Sequence, residues 1–119
     1  MKKQEISKLI EKVQSFCENR DWDQFHSPKE LAIGLSTESN ELLALFRFKT
    51  KEQMKEMLNN ESKREEISEE IADVFFFLLR FSQMYKFDLR ECLEDKLEKN
   101  EKNYPLEKTI GKNSKYNEL

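Results

Sequence analysis

Residues 31–48 read LAIGLSTESNELLALFRF, and the placing of the acids in that stretch decides how the chain is read. At about 100° per residue, Leu31, Leu35, Leu42 and Leu45 form one helical stripe. Glu38 falls in the middle of that stripe and Glu41 at its edge, three residues on. An ordinary solvated glutamate lies on the opposite face of an amphipathic helix.

A second stretch repeats the anomaly. Residues 69–81 read EEIADVFFFLLRF. Ile67, Ile71, Val74, Leu78 and Phe81 define an apolar centre by helical spacing, with Glu70 inside the wider arc that includes Phe77. Asp73 follows at i+3, beside the ridge of Phe77 and Met84. Each of two apolar helices therefore carries two acids on or beside its buried face. E-x-x-E and E-x-x-D arise by chance in Glu-rich helices, so position on the helix is the stronger signal than spacing.

Working outward, two glycines and two prolines confine breakers to two places, which favours long helices. The predicted elements are a first helix over about Gln4–Asn19 and a ligand-rich loop over Arg20–Ser27. A second helix is capped by Ser27 and Pro28 and runs to about Phe48. Residues 50–60 form a short helix or a connection, and a third helix runs from near Ser62 to about Tyr85. A fourth is capped by Asp88 and runs to about Asn103, ahead of Pro105. There is no repeat and no strand pattern. The expected fold is all-α: an antiparallel bundle of about four helices in a single domain, 1–119, with a tail over about 106–119.

The 119 residues are 38% charged, against roughly 25% in an average domain, with a net charge of −3. That balance leaves no basic excess for a nucleic-acid polymer. The N-terminal segment has no apolar core of a signal peptide, and no apolar run reaches the roughly 20 residues of a membrane span. Cys17 and Cys92 form no CxxC and read as buried thiols in a reducing, cytoplasmic compartment.

Four carboxylates crowded together lose hydration and repel one another, so protons or a cation must compensate. Oxygen ligands without Cys or His suit a hard cation: Mg²⁺, Mn²⁺ or Ca²⁺. Mg²⁺ shares its shell with substrate phosphates, so an acidic cluster of this kind can recruit a polyphosphate. The alternative is four partly exposed acids paired with Lys or Arg. Glu66 is a further acid able to join the cluster, whereas Glu69 projects elsewhere.

Other groups can hold a nucleotide. Trp22, Phe25 and His26 stand within five residues, and Trp22 and His26 are the only residues of their kinds. An aromatic ring stacks on a base, and His donates to phosphate or sugar oxygen; a plug of aromatics over the bundle end is the alternative. Phe48 offers further stacking. Lys96, Asn100 and Tyr104 follow one another at i+4 on one helix face. They can grip phosphate and sugar, or else form a solvated surface. Lys112 and Lys115 in the tail can add phosphate contacts.

RDWDQFHSPKEL (20–31), ESNELLALFRFK (38–49), EEIADVFFFLLRF (69–81), KNEKNYP (99–105) and GKNSKY (111–116) together resemble the MazG-like all-α nucleoside triphosphate pyrophosphohydrolases. The dCTP pyrophosphatase branch is the most similar, and the resemblance runs in order from about Arg20 to Leu119. It implies antiparallel helices assembling as a dimer or a dimer of dimers. It also implies cleavage of a (d)NTP, dCTP or a modified dCTP among the candidates, to the monophosphate and pyrophosphate, in cleansing or balancing the nucleotide pool. On the matching positions Glu38, Glu41, Glu70 and Asp73 would hold Mg²⁺, with Mn²⁺ as a substitute. Trp22 and His26 would contact base or sugar; Lys96, Asn100 and Tyr104 would contact the nucleotide; and the tail would help close a site shared between subunits. The chain departs from the family pattern at Thr37 and Asn40, where glycines are common. It departs also at Phe48, where tryptophan is expected, and at Phe77, where tyrosine is expected.

The working mechanism is metal-assisted hydrolysis, with Glu38 or Glu41 as the base that accepts the proton of the attacking water. A non-catalytic nucleotide-binding or scaffold oligomer is the alternative. A di-iron bundle requires E-x-x-H, which the chain's one histidine, His26, does not provide.

Overall fold

Six α-helices follow one another in the computed structural model, which describes residues 3–113 and 117. They are α1 (Lys3–Glu18), α2 (Pro28–Phe46), α3 (Lys51–Asn59), α4 (Glu61–Tyr85), α5 (Leu89–Asn103) and α6 (Leu106–Thr109), with a 3-10 turn at Asp23–Phe25. No strand occurs among the described residues, and the all-α expectation holds. None of these helices is long and apolar enough to cross a membrane.

Local chemistry sets most of the ends. The Ser27 hydroxyl accepts from the Glu30 N–H at 3.1 Å, with Pro28 in the first turn of α2. Thr50 and Gln53 form a reciprocal capping box that starts α3, so residues 51–59 are a helix rather than a bare connection. Asn60 and Asp88 accept from the backbone to cap α4 and α5. One boundary differs from expectation: α2 stops at Phe46, and Phe48 lies beyond it with φ 64. That left-handed backbone is uncommon for a bulky side chain and turns the phenyl ring into solvent, under the Arg47 guanidinium.

Contacts divide the chain into two compact units, Met1–Lys86 and Phe87–Leu119. In the first, α4 is the central helix and packs against α1, α3 and, most extensively, α2. Position 26 meets 80 and 85, and Gly34 meets Phe77, while Glu38 and Glu41 meet Glu70. Advancing along α2 thus retreats along α4, and the pair is antiparallel. Among the described residues Cys17, Leu31, Ile67 and Leu79 are the buried apolar ones, joined by Arg80 and Ser82.

The expected stripe of α2 is the packed face: Leu31 is buried, and Leu35, Glu38, Leu42 and Leu45 are part-buried. The expected centre of α4 is corrected. Ile67 is buried, but Ile71 and Leu78 are 54% and 40% exposed. Residues 74–79 are apolar on every side, so periodicity had no polar face to set the phase. Packing instead buries Leu79, Arg80 and Ser82 and leaves the 71/78 side open. Cys92 is likewise corrected: it is exposed, whereas Cys17 is buried.

The second unit holds α5 and α6. Lys96 is exposed there, while Asn100 and Tyr104 are part-buried. The Tyr104 N–H donates to the Asn100 carbonyl at 2.7 Å and ends α5. Lys115 lies outside the described residues.

Candidate active site

Three of the four acids that sequence singled out come together. Glu38 and Glu41 from α2 and Glu70 from α4 each offer a carboxylate oxygen within 4.8 Å of the others. Helical phase explains why. Glu38 sits on the packed stripe, Glu41 is the next residue along the same edge, and Glu70 lies on the facing side of α4. Glu38 Oε2 and Glu70 Oε2 are out of contact with water and have no hydrogen-bond partner. A buried acceptor left bare is costly, and a proton or a cation beside these carboxylates relieves that cost.

The electrostatics agree. The hydrogen bond to Glu41, then burial and the charges of Glu41, Asp73 and Glu70, push the Glu38 carboxyl from an ordinary 4.5 up to about 7. Burial first, then Glu41, raises Glu70. No Lys or Arg forms an ion pair with the trio among the described residues. That argues against the reading of these acids as ordinary paired surface charges. Glu66 does take that ordinary course, bridging to Lys63 at 3.3 Å.

Asp73 is not within the trio. It is exposed, close enough to raise both Glu38 and Glu70, and it lines a neighbouring pocket. This cavity of about 460 Å³ is walled by Val13, Phe16, Trp22, Phe76 and Phe77, with Lys12 and Asp73 as its charged members. Trp22 and Phe77 were picked out from the sequence; Lys12, Val13, Phe16 and Phe76 were not. Phe16 stands edge-on to both Trp22 and Phe76, with ring centroids 5.6 and 6.0 Å apart. His26 does not line the cavity but lies behind Trp22, ring centroids 6.1 Å apart. Phe48 does not line it either.

Sequence reasoning also missed Arg80. A lone cation in the run FFFLLRF is the same kind of signal as Glu38 in its leucine stripe, a charge where packing is expected.

The first unit thus brings three carboxylates together on two packed helices, close to a pocket walled by aromatic rings. A family model described as the MazG-like family matches residues 33–119, and the chain belongs to that family. The dCTP pyrophosphatase 1 of Bos taurus is 31% identical over 104 residues, which are 87% of this chain and 62% of that protein. That of Homo sapiens is 32% identical over 104 residues, 87% of this chain and 61% of the other. The chain thus spans about three fifths of the length of these relatives. A pyrophosphatase of Archaeoglobus fulgidus, solved by crystallography, superposes with a TM-score of 0.79 at 34% identity, covering 85% of this chain and 93% of that one.

Proposed function

We propose that this chain is a Mg²⁺-dependent nucleoside triphosphate pyrophosphohydrolase, with dCTP or a modified dCTP among its substrates, acting in nucleotide-pool housecleaning. The observation that carries this reading is the role of Asp73. One carboxylate both lines the aromatic pocket and acts on Glu38 and Glu70, so a flat base and a charged polyphosphate can be held side by side.

Glu38, Glu41, Glu70 and Asp73 are the proposed holders of the cation, and their all-oxygen chemistry fits Mg²⁺ or Mn²⁺. When bound, the metal supplies charge neutralisation for the triphosphate and lowers the cost of generating a nucleophilic hydroxide. The chain's own residues do the rest. Trp22, Phe16 and Phe77 receive the base, and Glu38 or Glu41 accepts the proton of the attacking water. The family resemblance is also the ground on which Lys96, Asn100, Tyr104, Lys115, His26 and Phe48 are proposed as nucleotide contacts and 1–119 as one domain. The open apolar side at Ile71 and Leu78 favours a homo-oligomer, dimer or tetramer, which sedimentation will read. A cytoplasmic setting belongs to the same reading.

Pyrophosphate release from a panel of canonical and modified dNTPs tests the proposal. Turnover is expected with Mg²⁺ and abolished by EDTA. No release from any member with metal present overturns the enzyme reading in favour of a nucleotide-binding scaffold.

The proton on Glu38 makes a further prediction. Its carboxyl is pushed up to about 7, so between an ordinary 4.5 and that value the folded chain holds a proton that the unfolded chain has lost. Metal-free stability therefore falls as pH rises through this window. A divalent cation needs the ionised form, so its binding displaces the proton. Mg²⁺ affinity is expected to climb from pH 5.5 to 7 and level off above, with proton release below pH 7. Calorimetry in two buffers of different ionisation enthalpy reads this directly. Flat affinity across the range contradicts it.

A further inference from the structure

We infer that Arg80 is the positioning residue of the pocket wall: its guanidinium pins the turn that carries Trp22 and fixes His26 as the Nε2–H tautomer. The inference rests on the reading of that pocket as the nucleotide's base site only in its kinetic consequence.

The turn Asp23–Phe25 contains no buried residue, and its Phe25 is 61% exposed. Apolar burial therefore does not hold it in place. Three long-range hydrogen bonds do, beside the Trp22 N–H, which donates to the Cys17 carbonyl at 3.1 Å. Arg80 Nε donates to His26 Nδ1 at 2.9 Å, and Arg80 Nη2 donates to Asp23 Oδ1 in an ion pair. The Tyr85 hydroxyl donates to the His26 carbonyl at 2.6 Å. Arg80 Nη1 is satisfied separately by Gln83 Oε1, on its own helix, at 2.6 Å. At 1% exposure Arg80 is a buried cation, a state tolerated only with partners of this quality.

The two pinned residues follow Trp22 in the chain, one immediately and one four residues on. His26 also meets the Trp22 ring edge-on, and Trp22 lines the pocket with Phe16 and Asp73. Contacts thus run from Arg80 through Asp23 and His26 to the aromatic wall. The tautomer follows from donor arithmetic. Arg has donors only, so the nitrogen facing it must offer a lone pair, and neutral imidazole then carries its hydrogen on Nε2. Burial first, then the Arg80 charge, keep His26 on the neutral side of its ordinary 6.5, with Asp23 opposing.

His26 and Trp22 are each unique in the chain, so each gives a single spectroscopic signal. In the full-length protein, two-bond ¹H–¹⁵N correlation on histidine-labelled material is expected to show one species with unprotonated Nδ1. Protonated Nδ1, or an even tautomer mixture, overturns the inference without any variant being needed. Arg80→Met is expected to mix the tautomers and raise acrylamide quenching of Trp22 fluorescence severalfold, while Arg80→Lys, which keeps one donor, is expected to fall between. Unchanged spectra in a folded Arg80→Met protein overturn it as well.

With nucleotide, Arg80→Lys is expected to raise KM about 10-fold while kcat stays within about threefold, because a displaced wall weakens positioning. An equal KM in an active wild type and this variant refutes the kinetic consequence. A wild type that releases no pyrophosphate instead sinks the functional reading, and the two spectroscopic results still judge Arg80.

Discussion

Glu38→Gln is expected to cut pyrophosphate release by at least about 100-fold and, at the same time, to raise the melting temperature of the metal-free chain at pH 8. Removing even an outer-shell partner of a metal ligand costs roughly 10–100-fold, so losing a proposed ligand sets a higher floor. The stability change runs in the opposite direction. Glu38 sits on the packed face of α2 with a bare oxygen, against Glu41, Glu70 and Asp73. Its raised carboxyl pKa means that ionisation opposes folding. An amide of the same shape removes one of the mutually repelling charges, and without metal the folded state is relieved. A metal titration completes the pattern: Mg²⁺ is expected to raise the melting temperature of the wild type far more than that of the variant. A residue that merely supports the fold loses stability on substitution. Equal activity in variant and wild type contradicts the assignment of Glu38.

Gly34→Ala is expected to destabilise the chain, although alanine is the better helix former by about 1 kcal/mol. A Cβ at position 34 lies 2.6 Å from Cζ and 2.7 Å from Cδ1 of Phe77. Side chains do not approach so closely, and the ring is part of the pocket wall on α4. Overpacking costs about 1–3 kcal/mol, so the clash outweighs the propensity gain. A net loss of about 1 kcal/mol lowers the melting temperature by roughly 4–8 °C for a unit of this size. Relief requires Phe77 to move, which alters the cavity and raises KM for nucleotide. The double variant Gly34→Ala/Phe77→Leu is expected to recover most of the stability, a coupling that a double-mutant cycle measures. A Gly34→Ala protein as stable as the wild type means that α2 and α4 do not approach as closely as this.

Part of the site was legible because it depends on residues a few positions apart on one helix. Glu38 between Leu35 and Leu42 must share their face, since 3.6 residues per turn allow nothing else. The same reasoning located Glu41 and Glu70. It placed Asp73 less well, because an acid at the edge of a stripe can turn either toward the cluster or toward a neighbouring cavity. Phe48 was assigned to α2 because nothing in RFK signals a stop; a left-handed residue without glycine carries no sequence mark. The pocket wall was half legible. Trp22 and Phe77 stand out by type, whereas Lys12 and Val13 join it only because α1 lies against α4.

The sequence alone determined α1, α2, α4 and α5, the caps at Ser27 and Asp88 and the anomalous acids, since each rests on hydrogen bonds and periodicities spanning about four residues. Tertiary structure alone decided which side of α4 is covered, because residues 74–79 are apolar all round and only packing against the rest of the unit can choose among equivalent faces. It also decided what Arg80 does. Its partners Asp23 and His26 lie more than fifty residues earlier, and no local rule reaches that distance. Only the antiparallel pairing of α2 with α4 brings that buried charge to the turn beside the pocket.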